Sequence, residues 1–350
     1  MRTTTWRALG ACLLGLAVSG TGIAAIKNNF IAPEARSVEG GRDVRVIVGQ
    51  AEIKANINAL NTTAAAGGGL LFALIDAGVN NARAKDAEKS VIPLRESLVG
   101  YEFDPHAEMA SAMTLSGLDW FGVKQTHSSK DESADGVLTA LDAGTTPQLM
   151  VLRYSYETTA DFSAVLVHLT AQLVNKQIPA GKKSDARLQG KNLPYVQTVR
   201  SVILLPNANP KDPDGNVRAW AADNGRAARA ALDLGIERCQ QLLQRGLTQS
   251  AADAASMAKR NKRPLSSVPG ISGWEIEKQA NSTLVYEFLL GSLTQVETFG
   301  TAPAAPAAVS TPAAVAPAAT ADPAPSAPAT EAPAAGAAPA AGAAPAAPAQ

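Results

Sequence analysis

The chain has 350 residues, 46% of them hydrophobic, which is enough for one large domain or two small ones around an apolar core. Its 31 basic residues balance 31 acidic ones, and this excludes a bulk electrostatic drive toward nucleic acid. The two cysteines, Cys12 and Cys239, exclude a disulfide-stapled scaffold.

Residues 1–25 read as an export signal. Arg2 and Arg7 precede an apolar run over 8–18, and Gly22 and Ala24 supply the small residues a signal peptidase accepts, placing the mature terminus near Ala25. The run is too short to cross a hydrocarbon core of ~30 Å as a stable helix. Cleavage would leave 29 basic against 31 acidic residues, a formal charge of −2, with Cys239 as the single thiol. Leu9-Gly10-Ala11-Cys12 has the outline of a lipidation box. A cut there would strand the apolar residues 13–18 beyond it, so a lipoprotein anchored at Cys12 is the weaker reading. The expected location is outside the cytoplasm, periplasmic or secreted.

After a linker over 26–41, the β-branched residues Val44, Val46, Ile47 and Val48 predict a first strand. A helix is expected over 69–91, apolar all round at first and amphipathic later, with Pro93 ending or kinking it. Its Gly-rich, apolar start over 67–79 suits a buried core helix. The alternative is a membrane or oligomer contact, where small residues let backbones approach closely. Residues 70–79 would span only ~15 Å, half a bilayer, and they include Asp76.

A short helix over 104–113, a strand over 120–125 and a second short helix over 135–141 follow. The clearest β signal is an antiparallel hairpin of 149–156 and 162–174 around a turn at 158–161. In its second arm Phe162, Ala164, Leu166, His168 and Thr170 share one face, and Val165, Val167 and Leu169 the other. Both faces are apolar enough to place this strand inside a sheet. A strand over 195–205 ends at Pro206, and a polar loop is expected over 207–216.

Asp223 is the expected N-cap of a long helix to 244 or 245, whose stripe Leu232, Ile236, Cys239 and Leu243 turns Cys239 inward as an inert thiol. Another helix is expected over 249–262, then a loop to 273 and a last ordered element over 282–296. In that element Tyr286, Phe288 and Leu290 alternate as in a strand, while Leu289 and Leu293 suit a helix. Residues 301–350 are mostly Ala and Pro, with no aromatic and two charges, Asp322 and Glu331. Such composition predicts a disordered, extended tail of up to ~150 Å, a spacer or simply a solvated end.

No nucleophile elbow, zinc-protease helix, phosphate-binding loop or Cys-x-x-Cys pair occurs. Asp104, His106 and Glu108 are the densest group of metal-ligating side chains. In an extended segment they would share a face, but Asp104-Pro105 reads better as a helix start with Glu108 in the first turn. Asp212-Pro213-Asp214-Gly215-Asn216 looks like part of a calcium loop. With Gly215 at the sixth position, Pro210 and Ala221 fall where anchoring carboxylates should stand, so a plain turn is expected. His168 is expected to be a hydrogen-bonded strand residue. Lys259, Arg260, Lys262 and Arg263, with Lys182, Lys183, Arg187 and Lys191, could meet an anionic surface, although solvated helix ends need no ligand.

The expectation is therefore an α+β fold, an antiparallel or mixed sheet packed against helices within 42–300. No catalytic, cofactor or metal residue is assigned. The leading function is a non-enzymatic exported protein of a bacterial envelope, a structural or interaction module that meets another envelope protein or an anionic envelope surface. The alternatives are a membrane-associated protein using 67–79 and a hydrolase whose site is assembled from distant residues.

Overall fold

The computed structural model describes residues 29–56, 87–250, 252–253, 271, 273–287 and 291–300. The expected signal segment, the 67–79 segment, the basic run 259–263 and the Ala/Pro-rich tail lie outside the described residues.

Alternating β-branched residues build the centre of a nine-stranded mixed sheet. Its strands are β1 (Arg42–Val48), β2 (Lys54–Asn56), β3 (Val123–Ser129), β4 (Gln148–Thr159), β5 (Ala164–Asn175), β6 (Tyr195–Leu204), β7 (Trp274–Lys278), β8 (Ser282–Glu287) and β9 (Ser292–Thr298). Their order is β3-β1-β4-β5-β6-β9-β8-β7, with β2 pairing β4 beyond the end of β1. The pairs β3–β1, β1–β4 and β6–β9 are parallel, whereas β4–β5–β6 and β9–β8–β7 are antiparallel. The fold is thus α+β, a mixed sheet with helices, as the pattern predicts.

Among the described residues, the α-helices seen from end to end are α1 (Pro33–Arg36), α2 (Ile92–Ser97), α3 (Phe103–Ser116), α4 (Ala134–Ala143) and α5 (Pro213–Thr248). One sheet face carries Val46, Leu152, Tyr154, Val167, Leu169 and Val199, and α2, α3 and α5 cover it to form the main core. The opposite face has two smaller apolar clusters. One lies under Val137 and Leu141 of α4, and the other joins Leu166, Val202, Val285 and Val296. Strand β5 is flanked on both sides and buried on both faces, which accounts for its near-continuous apolar run.

Several elements depart from expectation. Strand β3 begins at Val123 because Trp120 and Phe121 turn inward beneath Arg36 and Arg42, and Gly122 at φ 66° redirects the chain. Residues 87–90 are helical and the helix breaks at Val91, two residues before Pro93, as expected, but a new helix, α2, restarts there with Pro93 in its first turn, where a missing N–H costs nothing. The 207–216 segment is only half loop. Asp212 caps α5 by accepting from the Gly215 N–H at 2.9 Å, and Pro213 occupies the first turn. Helix α5 is then interrupted at 222–225, with Asp223, Asn224 and Gly225 all at positive φ, so Asp223 is part of a break and not the expected cap. The described parts of 282–296 are two antiparallel strands, β8 and β9, and Phe288, Leu289 and Leu290, which carry most of the competing periodicities, lie outside the described residues. Strand β7 was not expected. The 26–41 stretch, read as a linker, includes α1 and buries Ile31, while Arg36 donates to the Gln249 carbonyl at 2.9 Å. Among the described residues, no helix is long and apolar enough to cross a membrane.

Candidate binding groove

Helix α3 carries two stripes. Phe103, Ala107, Ser111 and Leu115 recur every fourth residue and are buried on the sheet. His106, Met109, Ala110 and Met113 lie on the neighbouring stripe and turn toward α5. There they face Asp233, Ile236, Glu237, Gln240, Gln241 and Gln244 across a groove of about 460 Å³. Met109 is 59% exposed and Met113 70%, so a methionine pair one turn apart meets solvent instead of a core.

Two sites of polar order bound this groove. At one end Tyr101 donates its hydroxyl to Asp233 Oδ1 at 2.7 Å, and His106 Nδ1 meets the same oxygen at 2.7 Å. The two rings stack edge to face with centroids 5.4 Å apart. Burial, then the hydrogen bond and charge of Asp233, push the Tyr101 hydroxyl well above its ordinary range, so it stays a donor. The carboxylate selects the imidazole tautomer with hydrogen on Nδ1, which leaves Nε2 as the basic nitrogen.

On the floor, Gln240 donates to the Ser111 hydroxyl at 3.0 Å and to the Tyr154 hydroxyl, while Ser111 donates to the Ala107 carbonyl at 2.6 Å. These bonds use both amide hydrogens. Gln240 Oε1 is left buried without a hydrogen-bond partner among the described residues. Rotating the amide by half a turn would only move the deficit to the nitrogen.

The residues singled out by sequence are dispersed by the fold. A helix turns Asp104 and His106 away from each other: Asp104 pairs with Lys130 at 2.5 Å, and His106 with Asp233. Among the described residues, no group of three or more His, Cys, Asp or Glu could hold a metal ion. Arg187 cannot belong to an exposed basic patch. Its side chain is buried and held by Asp142 at 2.6 and 3.1 Å, leaving Lys182, Lys183 and Lys191 exposed around it.

His168 lies on the opposite face in a row of polar residues crossing six strands. Its Nε2 is 3.1 Å from Glu157 Oε1, and Asn56 donates to both oxygens of that carboxylate at 2.8 Å. Arg200, directly across from His168, pairs with Glu287 at 2.6 Å, and Thr294 bonds the same carboxylate oxygen. This row fills the space between the two small apolar clusters, so it acts as a hydrogen-bonded seam of the sheet.

Cys239 is fully buried, with Sγ 3.3 Å from the Val167 carbonyl, and burial pushes its thiol up. Sequence reasoning missed the groove. The one signal available was the surplus of apolar residues on α3, which carries Met109 and Met113 beyond the stripe needed for the core. No protein-family model, curated protein or solved structure matches the chain.

Proposed function

We propose that this chain is a non-enzymatic exported protein of a bacterial envelope, an interaction module whose binding face is the α3–α5 groove. The observation that carries the reading is the exposed methionine pair, Met109 and Met113, in a groove of about 460 Å³. Concentrated apolar exposure on a folded surface marks a contact site, and unbranched, polarizable methionine adapts to more than one partner shape. Export is supported by the order of charged, apolar and small residues in 1–25, and the Ala/Pro-rich 301–350 then serves as a spacer.

The test has two parts. Amino-terminal sequencing of the extracytoplasmic form should begin within a few residues of Ala25, and a lipidated Cys12 or an intact leader would overturn export. A photo-crosslinking residue at Met113 should give an adduct of one defined mass, whereas the same residue at Lys182 should give none. An absence of adducts from Met113, or equal adducts from both positions, would overturn the binding face.

A second reading, hydrolysis, is favoured by one observation: the groove joins a histidine to a carboxylate, with His106 Nδ1 held by Asp233 at 2.7 Å. Such a pair leaves Nε2 able to take a proton from water. It requires a hydrolytic activity of the purified protein that His106→Ala abolishes without lowering the thermal midpoint.

A further inference from the structure

We infer that the α3–α5 groove takes an amphipathic helical segment whose apolar face is bordered by lysine or arginine. This rests on the binding-face reading above and adds the chemistry of the partner. Between His106 and Thr114 the groove runs ~12 Å along α3, and between Asp233 and Gln244 ~16 Å along α5, at about 1.5 Å per residue. That length matches two to three turns of a third helix laid between two others, where ridges of side chains enter grooves. The apolar anchors of such a segment would meet Met109, Met113 and Ile236.

Charge narrows the partner further. The lining carries two carboxylates, Asp233 and Glu237, and one imidazole, but neither lysine nor arginine. Glu237 is 60% exposed, and Arg238, 3.3 Å from it, also pairs with Glu297 at 2.7 Å, so one guanidinium is shared between two carboxylates and the rim keeps a net negative charge. Exposed carboxylates at the rim favour N–H donors from the ligand, and cationic side chains supply them. An acidic helix would set like charges against Asp233 and Glu237.

The experiment uses the mature full chain and three labelled peptides of about 18 residues each, long enough to span the groove as a helix. One has leucines at helical spacing flanked by lysine and arginine, one has the same leucines flanked by glutamate, and one copies residues 301–318. Fluorescence anisotropy should show saturable binding of the basic peptide, about tenfold tighter than the acidic one and weakening with salt. Met113→Lys and Glu237→Lys should each weaken it about fivefold or more at an unchanged thermal midpoint. Equal or tighter binding of the acidic peptide, still sensitive to Met113→Lys, would overturn the basic partner and leave the groove as a binding face. Binding of 301–318 in preference to both would overturn the helical partner in favour of the chain's own tail. No binding, or binding indifferent to Met113→Lys, would overturn the inference, and the crosslinking result at Met113 then decides separately whether the binding-face reading falls with it.

Discussion

The guanidinium of Arg42 donates to the carbonyl of Phe121 at 2.8 Å and lies 4.8 Å from the centre of that residue's ring. The same group donates to the Gln148 side chain and to the Arg36 carbonyl, both at 2.8 Å, so one buried side chain joins α1, β4 and the turn before β3. Burial lowers its pKa to about 10, which still leaves it charged at neutral pH.

Arg42→Lys should therefore destabilise the protein by about 1.5–3 kcal/mol, because an ammonium cannot reach three separated acceptors from one planar fork. Denaturant unfolding measures this. A midpoint unchanged from the parent would show that the α1 segment is not tied to the sheet through Arg42.

What could be read from sequence depended on how local the signal was. The stripe Leu232, Ile236, Cys239 and Leu243 repeats at helical spacing, and all four side chains are buried as it implies. The β4–β5 hairpin was equally legible, since alternation and a polar turn lie within one short stretch. The start of α5 was not. Asp-Pro-x-Gly chemistry serves a turn and a helix cap alike, and only tertiary packing distinguishes them. The groove was hidden for a different reason. His106 and Asp233 are 127 residues apart, so no spacing rule connects them. Until both helices dock on the sheet, Met109 and Met113 read as ordinary core residues.

The break in α5 gives a sharper test. Gly225 stands at φ 70°, and a Cβ there would come within 2.7 Å of Ser97 Oγ and 2.9 Å of the Ser97 carbonyl oxygen. Arg229 closes the same junction, donating to the Asn224, Ser97 and Val99 carbonyls at 3.0, 2.8 and 2.9 Å. Gly225→Ala should cost about 1–2 kcal/mol in backbone conformation, with crowding against α2 in addition. Gly190→Ala, with open space around it, should be close to neutral. Equal effects of the two substitutions would mean that α5 is not seated on Ser97.

Glu157 sets part of the acid sensitivity. Burial pushes its carboxyl up, but the hydrogen bond and charge of His168, the Asn56 amide and the charge of Arg200 outweigh burial and hold it below the usual range. A carboxylate with a lowered folded pKa adds stability above its unfolded value, about 4.3, and loses it as pH falls through the folded value. Glu157→Gln should thus lower the thermal midpoint by about 2–4 °C near neutral pH. The gap should close on acidification below about pH 4. A gap independent of pH would show that Glu157 contributes through packing and not through its charge.

Cys239 tests the seating of α5 on the sheet. Its side chain is fully buried, its Sγ lies 3.3 Å from the Val167 carbonyl, and burial raises its pKa, so thiolate is scarce under native conditions. One turn earlier, Gly235 brings the helix so close that an added Cβ would lie 2.5 Å from Val167 Cγ2. Thiol reagents should consequently react slowly in native buffer, even at mildly alkaline pH, and rapidly in denaturant. Cys239→Ala should lower stability by about 1 kcal/mol through the small cavity it leaves. Gly235→Ala should cost about 1–3 kcal/mol by overpacking against Val167, despite the better helix propensity of alanine. Rapid native labelling together with a neutral Gly235→Ala would place this face of α5 away from β5, and the groove floor built on Gln240 would move with it.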